Sequence, residues 1–327
     1  MRPISLYTAL VAAAACMPVD KTPPSDATTK PETTGVASGA TPPTPAALPT
    51  AMATKVQAVG GFPAPQAALC DSTQDIYLVS NFTGGPTDKS NGGFISRVRP
   101  DGAVENLKFI EGGHNGVTLN APKGLALRGD TLWVVDIDIL RAFDARTGMP
   151  RDSVSLGSFA PVFLSSIAIA PSGALYVTDA GIRFDDVGNV LHPGPDRIFR
   201  VGPDRKVTVA VRGDTLGRPN GIALDAIGKR FVVASFGGKS VFAWKPEDKA
   251  PSVIAKGAGG FDGVVVAGSR LFLASWNDST VSRYETGEEV RVVAGVPTPG
   301  EIGYDAKRNR LLVPILTGNR IEIWQVP

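Results

Sequence analysis

Six residues occupy one recurring place in this chain, each directly ahead of a short apolar segment that follows a Pro or Gly turn: Gln66, Lys123, Ser165, Asn220, Asp262 and Gly300. Their chemistry is complementary. Asp262 can take up a proton or hold a cation, Gln66 and Asn220 offer neutral amide oxygens, Lys123 brings a fixed ammonium and Ser165 a hydroxyl. The two histidines, His114 and His192, fall on loop segments that reach the same end of the repeats, where they can serve a substrate or simply be solvated. Asn and Asp ahead of Gly are also common turn formers, so Asn220-Gly221 and Asp262-Gly263 have a structural reading beside the chemical one. Asp136 and Asp179, at the ends of apolar segments, read as carboxylates that bond turns.

Other chemistries are excluded by what the chain lacks. With 2 Cys and 2 His it has neither the ligands nor the spacing of a Cys/His zinc site. Gly237-Gly238-Lys239-Ser240 imitates the tail of a phosphate loop, but Val233 stands where the leading Gly is required, and the segment joins two strands. No Gly-x-Ser-x-Gly elbow provides a serine nucleophile. A formal net charge of +2 and the absence of a basic cluster argue against nucleic acid as a partner.

The elements that position the six residues are strands. The 37 Gly and 27 Pro make up about a fifth of the chain, a punctuation suited to many short strands and turns. Each opening segment is followed by a second apolar run, such as Leu132-Trp133-Val134-Val135, and by a third alternating one, such as Ile198-Phe199-Arg200-Val201. A fourth run ends units one to five, whereas the chain stops before unit six reaches its own. The missing run lies at the front, as Val56-Gln57-Ala58-Val59. The spacing therefore predicts an all-β chain, a six-bladed β-propeller over 54–327 with about 46 residues per blade, closed by an N-terminal strand on the last blade. In such a ring the six residues encircle one mouth of the channel, beneath the loops 81–93, 110–121 and 180–196.

Pro219-Asn220-Gly221-Ile222-Ala223 and Phe261-Asp262-Gly263, one blade apart, together with the long loop of blade 3, resemble the SMP-30/gluconolactonase/LRE-like propellers. The resemblance implies a divalent cation, Ca²⁺ or Zn²⁺, held in the mouth by Gln66 in a glutamate column, Asn220 and Asp262, with Leu164 where a further Asn stands. The same resemblance implies that the cation polarises a lactone carbonyl or a bound water while Asp262 assists as base. Lys123, opposite Asp262 in a six-membered ring, can reach across and take the cation's place. Two functions remain open: hydrolysis of a lactone or related small cyclic ester, with Lys123, Ser165, His114 and His192 contacting substrate, or non-enzymatic capture of a small molecule, glycan or protein over the same mouth.

The first residues read as an address. Ile4 to Ala15 form an apolar stretch too short to span a membrane, ending in Ala13-Ala14-Ala15-Cys16, so 1–16 is expected to be a lipoprotein signal peptide with Cys16 as the lipid attachment site. Met17 to Thr50 hold 8 Pro, 8 Thr and 5 Ala without an aromatic residue, and 17–53 is expected to be a disordered tether. The expected location is the cell envelope, with the secreted chain held at the outer membrane by lipid alone. The propeller itself is expected to be a monomer.

Overall fold

The computed structural model describes residues 52–185, 188–285 and 288–327. The expected signal peptide, Cys16 and the expected tether up to residue 51 lie outside the described residues. Ala53, assigned to the tether from sequence, is buried and its N–H donates to Val292 O at 2.7 Å, so the packed body begins there.

The chain folds into six four-stranded antiparallel sheets, each running from an inner to an outer strand in chain order. The inner strands are Pro65–Asp71, Pro122–Arg128, Leu164–Ile169, Pro219–Asp225, Phe261–Ala267 and Gly303–Asp305. The sixth sheet breaks the chain order. Its outermost strand is Thr54–Gly60, paired antiparallel to Arg320–Gln325 from Thr54 opposite Gln325 to Gly60 opposite Arg320. This is the expected closure of a six-bladed propeller, and it leaves no blade one strand short.

Near-continuous apolar runs in the inner and second strands, such as Ile76-Tyr77-Leu78-Val79, give every sheet two apolar faces, so the core divides by interface. Each neighbouring pair of blades shares one cluster. Leu78 and Ile95 of blade 1 meet Leu132 and Phe143 of blade 2, and Tyr176 and Ile198 of blade 3 meet Phe231 and Trp244 of blade 4. The closing seam has its own cluster, in which Val59 and Phe62 join Tyr77, Val79, Leu312 and Ile323. Cys70 is a partly buried free thiol against this cluster, and burial pushes it up to about 12. Polar groups fasten the seam on the face away from the ring of six: Arg308 of blade 6 clasps Asp75 of blade 1 with bonds of 2.7 and 2.6 Å, and Tyr77 donates to Asp305 at 2.7 Å.

Candidate functional site at the channel mouth

The ring of six is built by a recurrent irregularity. In five blades the pairing of inner and second strand slips between Pro65 and Ala67, Pro122 and Leu125, Leu164 and Ile167, Pro219 and Ile222, and Phe261 and Val264. Gln66, Lys123, Ser165, Asn220 and Asp262 each lie inside that slip. In blade 6, Gly300 falls between the paired Pro299 and Gly303. An extra residue in one strand bends it and re-aims the side chain, here into the channel. Ser165 thus occupies the blade 3 position, as read from sequence, and Leu164, where the resemblance has a further Asn, is core.

The glycines that follow three ring residues answer to crowding rather than to turns. A Cβ on Gly221 would stand 2.6 Å from Asp262 O, one on Gly124 2.7 Å from Ser165 O, and one on Gly263 2.5 Å from Ile302 N. The inner strands approach too closely for any side chain there. Asn220 and Asp262 therefore sit within strands, and their turn-forming reading is corrected.

Across the ring the polar groups pair selectively. Gln66 favours the ionised form of Asp262 past blade 6, where Gly300 adds no side chain. The Ser165 hydroxyl donates to Asn220 Oδ1. Asp262 is 3% exposed and its Oδ1 has no hydrogen-bond partner among the described residues. Burial, eased only by Gln66, raises its carboxyl to about 7.

One residue deeper lies a second row: Ala67, Gly124, Ser166, Gly221, Gly263 and Glu301, with Glu301 N donating to Gln66 O at 2.8 Å. Five of these are small. Glu301 fills the space they leave, crossing the axis from blade 6 to blade 3, where Ser166 Oγ donates to Glu301 Oε1 at 2.8 Å. Burial, and to a smaller degree the Asp262 charge, pushes Glu301 up to about 8. Sequence reasoning missed Glu301 and Ser166. The signal was present, because Glu301 is the one large residue in an otherwise small column.

Lys123 does not reach Asp262. Its Nζ donates to Pro86 O at 2.8 Å and Ala121 O at 3.4 Å and lies 4.7 Å from the Phe163 ring centre. Burial lowers it to about 8, offset in part by Asp136. The expected pairing of Lys123 with Asp262 as a substitute for a cation is therefore corrected. Asp136 is committed elsewhere: it accepts Asn120 N, Ala121 N and Arg141 Nε, the last at 2.7 Å. Asp179 likewise accepts Phe163 N and the Arg197 guanidinium, so both are turn-bonding carboxylates, as read from sequence.

Three loops converge over Lys123, as the sequence suggested. Blade 1 contributes Pro86, the segment after blade 1 contributes Ala121, and the blade 3 loop supports Phe163 through Phe184, packed edge to face at 5.9 Å. The histidines take no part in the ring. His192 Nε2 lies 2.7 Å from Asp196, whose other oxygen accepts Arg218 N, and His114 is 66% exposed in a groove with Lys108, Val117 and Met149.

The donor set does not suit the implied Ca²⁺ or Zn²⁺. Hard cations favour several anionic oxygens, and the ring supplies one carboxylate. Asn220 Oδ1 is already engaged by Ser165, and no group of three His, Cys, Asp or Glu fit to hold a metal occurs among the described residues. What Asp262 Oδ1 lacks is one donor, which a water or a ligand hydroxyl supplies.

The fold is a six-bladed β-propeller with polar side chains gathered at one mouth of its channel. No protein-family model matches the chain, and no curated protein matches it in sequence. Similar folds occur among solved structures. A gluconolactonase from Xanthomonas campestris, described as important in secondary glucose metabolism, matches with a TM-score of 0.62 at 16% identity over 85% of this chain and 98% of its own. A structural-genomics target described as a gluconolactonase candidate matches at 0.60 and 17% over 84% and 92%. A chain of a nidogen/laminin complex matches at 0.53 and 20% over 69% and 79%.

Proposed function

We propose that this chain hydrolyses a lactone or related small cyclic ester at the channel mouth, with Asp262 as proton acceptor. The carrying observation is the buried, unpartnered carboxylate oxygen of Asp262 in a ring of polar groups. A carboxyl near 7 is matched to proton transfer at neutral pH. Asp262 takes a proton from a water held at Oδ1 as that water's oxygen bonds to the carbonyl carbon. The ring C–O bond then breaks, and the proton passes from Asp262 to the leaving alkoxide, giving an open hydroxy acid. Gln66 orients the carboxylate, and Asn220 and Ser165 offer polar contacts to the substrate's hydroxyls.

The test is hydrolysis of glucono-δ-lactone, followed by acid release above the spontaneous rate, in wild type and Asp262→Asn. Loss of a general base costs on the order of 100-fold or more. Wild-type hydrolysis no faster than the spontaneous rate overturns the proposal. That outcome favours the second reading, capture without turnover of a small molecule, glycan or protein, for which Lys123, held between Pro86 and Phe163, supplies a fixed cation. Lipid attachment at Cys16 and a cell-envelope location belong to the same proposal and rest on the sequence.

A further inference from the structure

The channel carries its charges at opposite poles. Asp262 and Glu301 stand on blades 5 and 6, and Lys123 faces them from blade 2. The acidic pole is eased by protonation, because both carboxyls are raised by burial. At the basic pole burial lowers Lys123 only to about 8, so at neutral pH the ammonium persists. Lys123 is 1% exposed, its acceptors are two neutral backbone carbonyls, and it forms no ion pair with any described residue. Asp136, its nearest electrostatic partner, is held by Arg141 and by the N–H groups of Asn120 and Ala121. A buried ammonium with only neutral acceptors is the costly half of an ion pair, and an anion is what completes it.

We infer that Lys123 is the anchor for the carboxylate of a small hydroxy acid, whose hydroxyl end lies toward Asp262 across the channel. This rests on the hydrolase reading and extends it, since a hydroxy acid is what opening of a lactone yields. The carboxylate takes the place of Pro86 O on Nζ. Pro86 belongs to the solvent-facing segment between Phe82 and Gly93, so yielding its place disturbs no strand. The Phe163 ring closes the pole against water, which strengthens the charge pair.

The experiment is titration calorimetry with sodium gluconate, glucose and inorganic phosphate on wild type, Lys123→Met and Lys123→Arg, with thermal melts confirming folding. Wild type should bind gluconate and neither glucose nor phosphate. Lys123→Met should weaken gluconate by about tenfold or more, and Lys123→Arg, which keeps the charge, should lose less. Equal gluconate affinity in wild type and folded Lys123→Met overturns the inference, as does equal binding of phosphate and gluconate. Should Lys123→Met fail to fold, Lys123→Arg decides: no wild-type binding of gluconate, or its loss from a folded Arg variant to the level of glucose, overturns the assignment. The two readings fail separately. Lactone hydrolysis without gluconate binding removes the anchor and leaves the hydrolase, whereas gluconate binding without hydrolysis does the reverse.

Discussion

Replacing Asp262 by Asn removes a carboxyl that the fold holds uncharged at a cost. In the unfolded chain it ionises near 3.8, and in the channel near 7. Between those values only the unfolded chain is deprotonated, so the native state binds the extra proton and stability falls as pH rises through this window. The loss is complete above about pH 7 and amounts to on the order of 4 kcal/mol over the whole window. Between pH 5.5 and 8.5 about 2 kcal/mol of it is traversed. Glu301, raised in part by the Asp262 charge, adds a loss of the same sign, and the substitution lessens that too. Urea unfolding at the two pH values reads the difference: wild type should lose about 2 kcal/mol more than Asp262→Asn. Parallel losses in the two proteins, within about 0.5 kcal/mol, would refute the buried, strained carboxyl on which the proposed chemistry depends.

Four further outcomes follow from the same geometry. Deleting residues 1–50 should leave the melting temperature unchanged, whereas deletion through Phe62 should unpair Arg320–Gln325, strip Ile321 and Ile323 of cover and cause aggregation or a large fall in melting temperature. Equal melts would contradict the closing strand. Gly263→Ala should cost about 1–3 kcal/mol or more in denaturant unfolding, because its Cβ meets Ile302 N and not a flexible side chain. EDTA should move the melting temperature by less than about 1 °C, since the ring offers one carboxylate to a cation; a clear Ca²⁺-dependent rise would overturn the donor-set argument. Cys16→Ser should shift the protein from the membrane to the soluble fraction, and unchanged partitioning would exclude the lipid anchor.

Blade number, the borrowed outer strand and the identity of the ring were legible because each follows from a repeat: six opening motifs, five complete units and one unit short of a strand. What escaped were distances across the axis. Spacing places Lys123 and Asp262 on opposed blades, but whether an ammonium reaches across depends on what stands nearer, and Pro86 O and the Phe163 ring come from loops that no repeat fixes. The turn reading of Asn220-Gly221 failed because local preference cannot see a neighbouring blade. The strand Phe261–Ala267, more than 40 residues on, is what forbids a Cβ at Gly221. Glu301 was visible in the sequence, yet its role appears only when its column is aligned with five small residues. His114 and His192 lie on the expected loops, but a loop's length does not say which way its side chains turn.

The direction in which Thr54–Gly60 joins blade 6 orients the whole body. Thr54 pairs with Gln325 and Gly60 with Arg320, so the strand starts on the side away from the ring and climbs toward it. A leash attached ahead of Thr54 therefore pulls from the underside. On a surface held by Cys16, the propeller would present its mouth outward like a dish facing the medium, with Lys123 and Asp262 beneath their cover on the side away from the lipid.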